Sequence, residues 1–111
     1  MNYSIHITSK AERDLNEALD YIEFNLLNPE AADGLLDNAE EMINALSIAP
    51  KKYKTVDDPV LAEWGVRLVI INNYLAFYII NDDTKTIHIL RFLYGKRNWI
   101  SLLRNEAISL D

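Results

Sequence analysis

The chain contains no cysteine. Disulfides, thiolate zinc sites and thiol nucleophiles are therefore excluded, and a cytoplasmic protein is the expectation. Glycine is scarce: Gly34, Gly65 and Gly95 are scattered, so no glycine-rich phosphate loop exists. The two histidines, His6 and His88, both fall in strand-like stretches, and no H-x-x-x-H or D-x-D spacing accompanies them. A structural or surface role is expected for each, with no metal and no cofactor. Serines and threonines occur without a nucleophile elbow. No apolar run approaches the roughly 18 residues that span a membrane. The stretch MNYSIHITSK has no basic segment leading into an apolar one, so a secretory signal is not expected.

What is present suits one domain over residues 1–111. A chain this short buries only about two-thirds of its unfolded surface, which argues against a deep, enclosed catalytic cavity. The net charge of -6 is unevenly spread. Residues 1–50 hold two cations against ten acids, residues 51–63 hold three of each sign, and residues 64–111 hold six cations against four acids. The first part is an acidic block and the last part is mildly basic. Polyphosphate would be repelled at long range, so non-specific nucleic-acid binding is not expected of the whole surface.

Periodicity gives the element order. Tyr3, Ile5 and Ile7 alternate with Ser4, His6 and Thr8, as in a strand. Ser9 and Glu12 stand in a capping-box relation, and Ala11, Leu15, Ala18, Leu19, Ile22 and Leu26 then follow at helical steps. Asn28 and Pro29 suit the cap and first position of a second helix, which ends before Pro50. Two amphipathic helices with a short connection make an antiparallel hairpin. Residues 50–63 read as a loop. Three β-rich runs follow, Trp64 to Ile71, Tyr74 to Ile80 and Lys85 to Tyr94, with Asn and Asp in the turns between them. In the last run, Ile87, Ile89 and Leu93 alternate onto one face and Leu90 and Phe92 onto the other, so both faces need cover. The hairpin covers one. The C-terminal segment, with Ile100, Leu103, Ala107 and Leu110 at short-helix spacing, or a partner must cover the other. The fold class is α+β, in the order β-α-α-β-β-β-α, with a helical hairpin on an antiparallel sheet.

The acids of residues 12–41 fall at outer-face spacing and read as a solvated surface. The cations later in the chain are less ordinary. LRFLYGKRNW, residues 90–99, runs from an apolar strand into Arg91, Tyr94, Lys96, Arg97 and Trp99. Arg67 on the first meander strand and Arg91 on the third flank the strand between them and could share one face. Such a group would bind phosphate or a carboxylate-rich partner, or pair internally with acids such as Glu63, Asp82 or Asp83.

The chain resembles the RelE/ParE superfamily of bacterial toxins from type II toxin–antitoxin modules, and within it the ParE, or plasmid-stabilisation, branch. The resemblance spans residues 3–104. It is carried by YSIHITSKAERDL, by LNPEAADGLL, by WGVRLVIINNYLAFYII and by ILRFLYGKRNW, in that order. It implies the same fold and a cognate antitoxin, often acidic, that would cover the second sheet face and meet Arg67, Arg91, Tyr94, Lys96, Arg97 and Trp99. It also implies a homodimer or a toxin–antitoxin hetero-oligomer. ParE-type members inhibit DNA gyrase by binding it. RelE-type members cut mRNA on the ribosome, and a ribonuclease reading would use Arg67 and Arg97 with Tyr94 or Lys96. The lysines and the C-terminal tyrosine of that set have no counterpart here: residues 57–63 read DDPVLAE, and Leu102 and Leu103 occupy the tyrosine's region. The gyrase reading is therefore preferred. The ribonuclease and a non-toxic antitoxin-binding remnant are the alternatives.

Overall fold

A computed structural model describes residues 2–106 and 108–111. Strand β1 (Ser4–Ile7) leads into helix α1 (Ser9–Asp20), a π-helical turn (Tyr21–Asn25) and helix α2 (Pro29–Ala45). A short helix α3 (Pro59–Glu63) precedes strands β2 (Arg67–Ile71), β3 (Tyr74–Asn81) and β4 (Thr86–Tyr94), and helix α4 (Trp99–Glu106) follows. The sheet order is β1-β4-β3-β2. The meander is antiparallel as expected. The first strand, however, joins β4 in parallel, with Ile5 beside Ile87 and Ile7 beside Ile89, so the sheet is mixed. Parallel partners need a long crossover, and here nearly the whole chain supplies it.

The α1 cap lies one residue earlier than the capping box suggested. Thr8 Oγ1 accepts from Ala11 N–H at 3.2 Å and donates to Leu90 C=O at 3.0 Å. Thr8 is buried, and these two bonds satisfy its hydroxyl there. The second helix begins as expected, with Asn28 Oδ1 accepting from Ala31 N–H and Pro29 in the first turn. The segment read as a loop contains α3, capped by Asp58 accepting from Leu61 N–H. Trp64 precedes β2 rather than opening it. The positive φ of Asn72 and Lys85, 56° and 52°, closes the two hairpin turns.

Two cores sandwich the sheet. The hairpin packs Leu35, Ala39, Ile43 and Leu46 on Val69, Ile71, Ala76, Tyr78, Ile87, Ile89 and Phe92. On the other face, α3, the segments flanking it and α4 pack Val56, Leu61, Val66 and Leu103 on Phe77, Leu90 and Leu93. The chain's own C-terminal helix and α3 thus supply the second cover, and α3 was missing from the expected list. Ala107, expected in this helix, lies outside the described residues. Simple alternation also fails in β4. The pairing slips from Phe77–Arg91 to Tyr78–Ile89, which leaves Leu90 as an extra residue. This β-bulge reverses the alternation beyond it. Phe92 therefore joins Ile87 and Ile89, and Leu93 joins Leu90, opposite to the sequence expectation.

Candidate partner-binding surface

The hairpin tip is built from an unusually apolar connection: Tyr21, Ile22, Phe24, Leu26 and Leu27 occupy five of seven consecutive positions. The α1 spiral widens here into π geometry, with Leu26 N–H donating to Tyr21 C=O. Such widened turns recur at functional positions because they turn side chains off the helical stripe. Tyr21, Phe24 and Leu26 are more than half exposed, and Leu27 is 80% exposed. Leu27 also holds a left-handed backbone, φ 52°, which a β-carbon disfavours.

Beside this tip opens a cleft of about 690 Å³ between the π-helical turn, α2 and the β2–β3 turn. Its walls include Ile22, Leu26, Leu35, Asn73, Tyr74 and Tyr94. Tyr74 stacks on Phe92 with ring centroids 5.1 Å apart and meets Tyr94 edge-on at 5.6 Å. Burial, with Tyr94 and Tyr21 nearby, pushes the Tyr74 phenol up from its ordinary value, so it stays neutral. Asn38 Nδ2 donates to Asn72 Oδ1 and ties the turn to α2. At the far end, Gly95 N–H donates to Asn73 C=O at 2.8 Å. A β-carbon on Gly95 would lie 3.2 Å from that same oxygen, so glycine permits the close approach.

The six residues expected to form one surface are divided. Tyr94 lines the cleft, and Lys96 and Arg97 are exposed in the turn beyond it. Arg97 also borders a polar groove with Lys10, Arg13, Glu17 and Glu106. Arg91 is internal. Its Nε and Nη2 donate to Asp14 at 2.6 and 2.9 Å, and its Nη1 donates to Glu106. The internal partners of Arg91 are therefore Asp14 and Glu106, while Asp82 pairs with Lys51 at 3.3 Å. Asp14 is accordingly an exception to the solvated acidic face. Arg67 donates to Tyr53 C=O at the opposite edge of the sheet. It pairs with Tyr78 of the first core, whereas Arg91 pairs with Phe77 of the second, so the two arginines do not share a face. Trp99 packs against Phe77, centroids 5.0 Å apart, as part of the second core.

This division bears on chemistry. Arg67 lies level with Tyr78 and Tyr94 with Tyr74. Standard strand spacings then separate Arg67 from Tyr94 by about 13 Å along the strands and about 10 Å across them. Arg97 shares a turn with Tyr94, its N–H donating to Tyr94 C=O at 3.0 Å, and Arg67 lies apart from both. Among the described residues no group of three or more His, Asp or Glu is placed to hold a metal, and no helix is long and apolar enough to cross a membrane.

A family model described as the ParE toxin of the type II toxin–antitoxin system parDE matches residues 5–99. No curated protein matches the sequence. Among solved structures, a chain of the chromosomal ParDE system from P. aeruginosa superposes with a TM-score of 0.67 at 23% identity, over 85% of this chain and 97% of that one. A chain of the RelBE2 toxin–antitoxin complex from Mycobacterium tuberculosis superposes with a TM-score of 0.58 at 23% identity, over 85% of this chain and 99% of that one.

Proposed function

Because the chain belongs to the ParE toxin family of type II toxin–antitoxin systems, we propose that it inhibits DNA gyrase by protein–protein contact and is silenced by a cognate antitoxin. The observation that carries this reading is the exposed apolar tip and its cleft, ending at Tyr94 beside Lys96 and Arg97. An amphipathic antitoxin segment would set its apolar side chains in the cleft and its carboxylates on Lys96 and Arg97. Contact rather than catalysis is supported by the distance of Arg67 from Tyr94. Arg91 and Trp99 belong to the opposite face of the sheet, with the second core.

The test is controlled induction in bacteria with thymidine and methionine incorporation followed in parallel. DNA synthesis is expected to stop first, with protein synthesis continuing. Leu26→Asp combined with Tyr94→Ala is expected to abolish rescue by the co-expressed antitoxin. An early stop in protein synthesis would overturn the gyrase reading in favour of an mRNA endoribonuclease acting through Arg67 and Arg97. A folded protein without effect on growth would leave an antitoxin-binding remnant.

A further inference from the structure

The parallel pairing of β1 with β4 places His6 directly beside His88. Their Nδ1 atoms are 2.8 Å apart, the ring centroids 5.0 Å apart, and the rings nearly perpendicular. One ring's Nδ1–H donates to the other's Nδ1. Both side chains are half-buried. Neither is reached by the proposed partner surface, whose cleft lies between the hairpin and the β2–β3 turn. Sequence spacing gave each histidine no second ligand. The fold provides one, because residues 82 positions apart become neighbours.

We propose that His6 and His88 form a two-imidazole site for a late first-row divalent cation, Cu²⁺ or Ni²⁺ in preference to Zn²⁺, that clamps β1 to β4. Metal–imidazole bonds of about 2.0–2.1 Å meeting at a right angle put the two nitrogens about 2.8–3.0 Å apart. A tetrahedral angle would need about 3.3 Å. The observed 2.8 Å therefore matches adjacent positions of a square-planar or octahedral ion. For the ion to enter, the mutual hydrogen bond opens and both imidazoles turn so that their Nδ1 lone pairs meet at a common point. The proton of the donor ring moves to its own Nε2 through water, so the neutral pair takes up the ion with no net proton release. Water completes the coordination at this half-exposed edge. The background is clean, since the chain has no cysteine and no third histidine.

Tag-free, full-length protein would be titrated with CuCl₂, NiCl₂ and ZnCl₂ by calorimetry at pH 7.5 in a non-coordinating buffer. One ion per chain is expected. Tm should rise with the logarithm of free metal. His6→Gln and His88→Gln should each weaken binding at least tenfold, because a single imidazole is left. Substoichiometric Cu²⁺ should broaden the imidazole signals of His6 and His88 before any others in the NMR spectrum of the unsubstituted protein, a readout that stands even if a variant fails to fold. Absence of binding at millimolar metal overturns the proposal. So does binding that persists in both variants, or broadening that begins at carboxylate side chains.

Discussion

Asp14→Ala should be the most damaging surface-helix substitution in this chain, and its effect should be on stability. The Asp14 carboxylate takes two hydrogen bonds from Arg91 and a third from Phe92 N–H at 3.0 Å. The side chains of Asp14 and Arg91 are only 10% and 12% exposed. Their hydrogen bond raises the Arg91 pKa above its ordinary value, so the guanidinium stays charged. Removing the carboxylate leaves a buried cation with Glu106 as its one remaining acid, and an orphaned backbone donor at the edge of β4. Breaking a buried pair from one side costs about 3–5 kcal/mol. With Glu106 still in place, about 3 kcal/mol is expected, against a typical total of about 5–15 kcal/mol. Urea unfolding, with a slope of about 1–3 kcal/mol per molar, should show the midpoint falling by about 1–3 M. The double variant Asp14→Ala, Arg91→Met should be less destabilised than the sum of the two single changes, because it removes the stranded charge. Moderate salt should do little, since the pair is shielded from ions. A loss under about 1 kcal/mol for Asp14→Ala, or strict additivity in the double variant, would refute the assignment of Arg91 to the interior.

Leu27→Gly relieves a left-handed residue that costs about 1–2 kcal/mol and adds back about 0.5–1 kcal/mol of chain entropy. Tm should hold or rise slightly in a thermal scan, while affinity for the antitoxin falls about tenfold, about 1.4 kcal/mol, in a pull-down titration. Tyr78→Phe removes the hydroxyl that donates to Pro50 C=O at 3.0 Å and should cost about 1–3 kcal/mol in urea unfolding, because the carbonyl is left without its donor. Burial pushes the Tyr78 phenol up to about 12, with Arg67 opposing. The folded state therefore favours the protonated phenol, and stability that is full below about pH 10 should fall as pH rises toward 12, with a smaller fall in Tyr78→Phe. On the acid side, His88 is held below the ordinary imidazole value, so the unfolded chain binds a proton first. Stability should drop as pH falls below about 6.5, and His88→Gln should flatten that part of the pH–stability curve.

The elements that announce themselves by period were legible: two amphipathic helices, the Asn28–Pro29 junction and three strands with Asn- and Asp-bearing turns. What escaped depends on contacts between distant parts of the chain. A four-residue strand carries no mark of the strand it will join, so the parallel docking of β1 could not be read. One inserted residue at Leu90 inverts the alternation after it, and no local pattern marks a bulge at a leucine. Asp14 sits at outer-face helical spacing like its acidic neighbours, and only the end of β1 at Ile7 brings it against the open edge of β4. The basic residues of LRFLYGKRNW look alike in sequence. The fold turns Arg91 inward, packs Trp99 into the second core, and leaves Tyr94, Lys96 and Arg97 outside. The hairpin tip was the signal available and missed: an apolar run too dense for one helical stripe.

The parallel contact between β1 and β4 also sets an order of events during synthesis. Residues 4–7 are among the first made, yet their partners are residues 86–89. At about 5–20 residues per second, β1 waits roughly 4–16 s for the strand that fixes it. The edge contacts of Thr8 and Asp14 wait for Leu90 and Phe92 in the same way. No part of the sheet can close around its N-terminal strand until about four-fifths of the chain exists. The helical hairpin, whose residues are all made by Ala45, comes first. A binding partner already in the cell would meet that hairpin well before the finished toxin.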